Sequence, residues 1–141
     1  MWESQFSSRL VSWNHLRQQC QTQDLCTALQ SINSWWFDCP WHAYHLHWDE
    51  QQHWPDPWQL LSDNIYCEVA RGLGILYTMS LTQHPEITDA EFTLTEDDRN
   101  LVLAAKRKYI LNWESDLLVN NNQAHTYKKI ITQQDIIKKY L

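Results

Sequence analysis

Apolar residues in the first third of the chain recur at helical intervals. Trp2, Phe6, Leu10, Trp13 and Leu16 follow one another by steps of four and three, placing an apolar stripe along a helix of about four turns. A second helix follows, capped by Asp24 and striped by Leu25, Ala28, Leu29, Ile32 and Trp36. Pro40 forbids its continuation past Cys39. From Trp41 to Asp49 the pattern shifts to alternation, with Tyr44, Leu46 and Trp48 on one side and His45, His47 and Asp49 on the other, as in a short strand or extended loop.

Pro55 and Pro57 bracket Asp56 and hold the backbone extended before Trp58, Leu60 and Leu61, where a turn leads into helix. The longest helical stripe is Ile65, Val69, Leu73 and Leu76. Asp63 is the expected cap, Cys67 falls in the first turns, and the helix runs to about Leu81, ahead of Pro85. Gly72 and Gly74, the only glycines, lie inside it at a cost of about 1 kcal/mol each relative to alanine, which points to close packing against another backbone. Beyond residue 88 the period becomes two. Ala90, Phe92 and Leu94 alternate, Leu101 to Ala105 is a short apolar run, Tyr109, Leu111 and Trp113 alternate again, and Leu117 to Val119 is a further candidate strand. Thr132 and Asp135 have capping spacing ahead of a last helix with Ile136, Ile137 and Tyr140. Helices first and an antiparallel sheet second is an α+β order.

A chain of 141 residues fits one domain. Residues 1–38 read as a helical segment added to a core of residues 39–141. No window approaches a membrane-spanning apolar run, and Met1, Trp2, Glu3 and Ser4 do not begin a secretion signal. The expected location is therefore the cytoplasm or a virion, with no membrane partner. Residues 1–70 hold eight acidic side chains against two basic ones, and residues 71–141 hold nine of each, so the formal charge of −6 sits in the first half. No basic footprint for nucleic acid exists. The clusters Lys106, Arg107, Lys108 and Lys128, Lys129 read as solvated strand edges. Cys20, Cys26, Cys39 and Cys67 form no CxxC pair and read as free thiols.

One stretch resembles a known family. In the pattern of the transglutaminase-like superfamily, an aromatic residue, a proline and a leucine pair precede a cysteine that opens a helix. An acidic residue follows that cysteine directly, and an alanine stands three positions on. Here those residues are Trp54, Pro57, Leu60, Leu61, Cys67, Glu68 and Ala70, within a resemblance covering residues 47–113. It implies an α+β fold with the cysteine helix packed on an antiparallel sheet. The strands of that sheet carry a histidine and then an aspartate, a trio used for acyl transfer or amide hydrolysis and lost in some members. A thiol at a helix amino terminus is also favoured as thiolate by the macrodipole, but it needs an imidazole and a group to orient that imidazole. Asn100 stands where the resemblance calls for histidine and Asn112 where it calls for aspartate. An amide cannot take a proton from a thiol at neutral pH. The sequence thus leans away from an enzyme. The alternative is a cysteine-dependent amide hydrolase or acyl transferase using Cys67 with His125 and Asp135.

Two further constellations stand out. Cys39, His42, His45, His47 and His53 fall within fifteen residues, but their spacing matches no zinc finger, and they read as polar partners of the tryptophans; no metal or other cofactor is expected. Eight of the nine tryptophans precede residue 59, more rings than a small core readily hides. Trp41, Trp48, Trp54 and Trp58 are the expected binding residues of an aromatic, acidic surface that docks a protein partner or a second copy. Tyr109 to Trp113, with Val119 and Asn120, resembles short proteins of tailed bacteriophages, which implies a role in the virion or its assembly. The combined expectation is a structural or interaction module.

Overall fold

The computed structural model describes residues 1–43, 45–119 and 126–141. Helix α1 (Phe6–Thr22) buries Arg9, Trp13, Leu16 and Cys20. Its buried stripe is therefore rotated from the expected one. Phe6 is exposed, and Trp2 precedes the helix, where its ring meets Trp35, Trp36 and Tyr66. The cause is Arg9, whose buried guanidinium donates to the carbonyls of Glu3, Ser4 and Leu61 and so takes an inward position. Helix α2 (Leu25–Phe37) starts as expected, with the Asp24 carboxylate accepting from the Thr27 N–H at 3.2 Å.

Residues 41–43 and 45–47 lie outside helices and strands, and Trp41 makes a parallel bridge with Tyr66. A 3₁₀ turn, Trp48–His53, follows. The expected cap at Asp63 is corrected by the structure. Asp56 caps a short helix α3 (Pro57–Asp63) by accepting from Gln59 N–H at 2.8 Å, with Pro57 preset for its first turn, and Asp63 is its last residue. Asn64, left-handed at φ 55°, ends it. Helix α4 (Glu68–Thr82) then begins, so Cys67 is its N-cap residue and not part of its first turn, and Ile65 in the link is exposed.

α4 is the central helix, and its glycines explain how closely it is packed. A Cβ on Gly74 would lie 2.5 Å from the Trp36 ring, and one on Gly72 would lie 2.6 Å from Phe92. Trp13 and Trp36 both donate their indole N–H to the Thr78 hydroxyl, at 2.8 and 2.9 Å, while that hydroxyl donates to the Gly74 carbonyl at 2.7 Å. One side chain thereby ties α1 and α2 to α4.

Among the described residues one antiparallel sheet contains β1 (Glu91–Thr95), β2 (Asn100–Ala104), β3 (Tyr109–Leu111), β4 (Leu118–Val119) and β5 (Tyr127–Thr132), in the order β4-β3-β2-β1-β5. Phe92, Val102, Ala104, Leu111 and Ile131 join the main core with α4, while Leu101, Leu103 and Ile110 form a second apolar cluster. No apolar alternation marks β5, and only Lys128 and Lys129 read as a strand edge. It is an edge strand with only Ile131 fully buried, and Lys128 and Lys129, which interrupt its pattern, pair with Asp98 and Asp49. Helix α5 (Gln133–Tyr140) closes the chain, its Asp135 N–H held by the Thr132 hydroxyl at 3.2 Å. No helix among the described residues is long and apolar enough to cross a membrane.

Candidate functional site

The amino end of α4 meets the start of β2 and the end of β3, and the residues at that junction are polar and buried. Cys67 is 4% exposed, and its sulfur accepts the Leu46 N–H at 3.5 Å. Trp41, Leu46, Cys67, Glu68 and Asn100 are among the residues around a shallow cleft of about 260 Å³. No described histidine is among those residues.

Hydrogen bonds hold Glu68, Asn100 and Asn112 in place beside the thiol. Glu68 Oε1 accepts from the Asn100 backbone N–H at 2.7 Å, from Asn100 Nδ2 at 3.2 Å and from Arg99 Nε at 3.2 Å. Asn100 Oδ1 accepts from the Trp48 indole at 2.6 Å. The Asn100 amide is thus committed at both ends. Asn112, left-handed at φ 69° just beyond β3, donates from Nδ2 to the Asn100 carbonyl at 2.7 Å and to the Glu68 carbonyl at 3.0 Å. Its Oδ1 accepts from Arg71 Nε at 2.7 Å, and its backbone N–H donates to Asn33 Oδ1 at 2.9 Å. Carbonyls only accept and a guanidinium only donates, so these neighbours demand an amide.

Arg71 itself lies against the faces of Phe37 and Trp41, 3.8 and 4.8 Å from the ring centres, and burial lowers its pKa. Cys39 is also buried, and desolvation pushes its thiol up to about 11 despite the nearby Arg71 charge.

The solved structure of Legionella pneumophila LapG matches this fold with a TM-score of 0.69, covering 92% of this chain and 77% of LapG at 11% identity. The chain has a transglutaminase-like fold. At that identity the likeness concerns fold alone. No protein-family model matches the sequence, and no curated protein matches it significantly.

On this transglutaminase-like frame the expected residues separate. Asn100 opens β2 and Asn112 follows β3, the register in which the sequence resemblance looks for histidine and aspartate. Asp135 is exposed in the first turn of α5 and is not among the residues around the Cys67 cleft. His125 lies outside the described residues, as do Tyr44 and Asn120. Of the four tryptophans expected at a docking surface, Trp41 is 55% and Trp58 49% exposed, while Trp48 is 7% and Trp54 5% exposed. The last two are therefore core residues. Their indole N–H groups find Asn100 Oδ1 and the His47 carbonyl inside the protein, and both rings pack on Phe92. Among the described residues no three histidine, cysteine or carboxylate side chains converge as metal ligands would.

Sequence reasoning missed Asn33, Arg71 and Arg99. Their partners are remote, with Arg71 and Asn33 reaching Asn112 across 41 and 79 residues, and no local pattern signals such pairings. Glu68 belonged to the quoted motif and Trp48 to the stretch that carries the resemblance, but their hydrogen bonds to Asn100 were not legible.

Proposed function

We propose that this transglutaminase-like domain is a non-catalytic structural or interaction module. The observation that carries the reading is the saturation of Asn100 and Asn112. Both amides beside the Cys67 helix spend their hydrogen-bonding groups on structure, and neither can take a proton from a thiol. Such a cleft has no imidazole among the described residues that line it. Trp41, exposed at its rim and backed by Arg71, is suited to anchor a protein partner or a second copy of the chain. The surplus of carboxylates in the first half of the chain favours a partner with basic residues around an apolar pocket. The likeness of Tyr109 to Trp113 to tailed-phage proteins supports a place in a virion or its assembly.

Iodoacetamide labelling of Cys67 across pH tests the chemical half of this reading. Slow labelling without a thiolate plateau at low pH is expected. Rapid labelling near pH 6 that disappears in His125→Ala would replace the module with the cysteine hydrolase or acyl transferase. For the interaction half, Trp41→Ala should weaken a salt-sensitive association seen in sedimentation without changing the unfolding midpoint. An association indifferent to Trp41→Ala would remove that ring from the docking surface.

A further inference from the structure

We infer that the carboxyl-terminal helix α5 is a latch that keeps the wall of the Cys67 cleft closed over the thiol. The inference rests on the reading of that cleft as a site, whether it binds or reacts. The wall is the segment from Leu46 to Trp54, and a continuous series of contacts joins it to the last turn of the chain. Leu46 N–H reaches the Cys67 sulfur at 3.5 Å. The carbonyl of the next residue, His47, accepts the Trp54 indole N–H at 2.8 Å. The Trp54 ring is stacked on Tyr140 with centres 6.3 Å apart, and the Tyr140 hydroxyl donates to the Gln51 carbonyl at 2.6 Å. Lys129, on the strand leading into α5, adds an exposed pair with Asp49 at 2.6 Å.

The two ends of this series differ in how firmly they are built. The wall is weak in its own secondary structure: residues 45–47 belong to no helix or strand, and the 3₁₀ turn is kinked at Glu50, with φ −119° and ψ 41°. Its position therefore depends on what packs against it. α5 is anchored at its start by the buried Ile136 and by Gln133, which bonds Ala90 and Ile87, whereas its last turn holds through the half-buried Tyr140, with Leu141 exposed. A terminal turn is the part of a helix that opens most readily. When it lifts, Trp54 loses its stacked ring, the Gln51 carbonyl loses its donor, and the segment bearing Leu46 is freed to move off Cys67. A partner that took up Tyr140 would thus open the cleft from a distance.

The test is site-resolved labelling with iodoacetamide of the full chain under native conditions, read by peptide mass spectrometry. Cys20, buried between α1 and α2 with its thiol on the Ala28 carbonyl, reports global opening. Tyr140→Phe, which removes only the bond to Gln51, should raise the Cys67 rate about fivefold. Tyr140→Ala should raise it further, by more than about tenfold, with the Cys20 rate unchanged in both variants. An unchanged Cys67 rate, or a Cys20 rate that rises in step with it, would overturn the latch. If Tyr140→Ala does not fold, Tyr140→Phe decides alone. A low-pH thiolate plateau in the unmodified protein would instead overturn the non-catalytic reading and leave the latch standing.

Discussion

The two ends of α4 solve the same problem with opposite chemistry. Toward its middle and carboxyl half the helix is wrapped by rings, and a buried polar centre there is the Thr78 hydroxyl shared by Trp13 and Trp36. At its amino end it is wrapped by polar side chains, with Asn33, Asn100, Asn112, Arg71 and Glu68 bonded to one another and to carbonyls. Both ends join residues dozens of positions apart. In the first, apolar area supplies the stability and hydrogen bonds only prevent a loss; in the second, the hydrogen bonds are the structure. The comparison explains why a cleft that looks chemical reads as structural. Its two asparagine amides are committed to structural partners.

The largest expected effect comes from the apolar end. Thr78→Val keeps the shape and removes the acceptor of two buried indole N–H groups, each costing about 1–3 kcal/mol when left unpaired. Chemical denaturation should show a loss of about 3 kcal/mol in all. A loss below about 1 kcal/mol would mean that the rings alone hold α1 and α2, with the hydroxyl dispensable.

At the polar end the sharper change is Asn112→Asp. The substitution installs the residue that the transglutaminase-like pattern expects, yet it turns a carboxylate oxygen toward the carbonyls of Asn100 and Glu68. Arg71 offsets part of that repulsion. The expected outcome is a loss of about 2 kcal/mol in denaturant unfolding. A stabilised Asn112→Asp would show that the pocket still favours the family's carboxylate and that the amide is not required by its neighbours.

Alkaline titration compares the two ends within one protein. Burial pushes the Cys20 thiol, among the helices, up to about 11, and does the same to Cys39 beside Arg71. For a raised pKa, the unfolded chain loses its proton first. The stabilisation is complete below the ordinary thiol value of about 8.5 and is lost as pH rises toward 11. Urea midpoints should therefore fall between about pH 8.5 and 11, and the slope should flatten in Cys20→Ala. An unchanged slope would remove Cys20 from the account.

How much of this was legible in the sequence follows the same division. The apolar end was largely visible, because stripes such as Leu25, Ala28, Leu29, Ile32 and Trp36 are local and periodic, and the two glycines signalled close packing, although what approaches them is the rings of Trp36 and Phe92 and not another backbone. The start of α4 was misplaced, since Asp63 looks like a cap but serves as the last residue of α3, a role decided by Pro57 and Asn64. β5 was legible only through Lys128 and Lys129, because an edge strand buries little and leaves no apolar alternation. Asn100 and Asn112 were located through the resemblance. Their satisfaction by Trp48, Arg71 and Glu68 was not visible, because a hydrogen bond between residues 41 or 52 positions apart leaves no periodic trace.

The smallest change asks whether the polar end is held by hydrogen bonding or by charge. Glu68 Oε1 accepts three hydrogen bonds, two from Asn100 and one from Arg99. In Glu68→Gln the amide oxygen can still accept all three, so what is lost is the net charge opposite Arg99. That pair is partly open to solvent, with side chains 29% and 24% exposed, and Arg99 keeps its place over the Trp113 ring and its bond to the Trp113 carbonyl. Solvent screening holds such a pair to about 0.5 kcal/mol, so Glu68→Gln should be nearly silent and insensitive to salt. Glu68→Ala should cost about 2 kcal/mol, because the buried Asn100 amide and backbone N–H lose their acceptor. If glutamine proved as damaging as alanine, and salt narrowed the gap to the unmodified protein, the amino end of α4 would be an electrostatic site, and its contrast with the aromatic end would be one of charge.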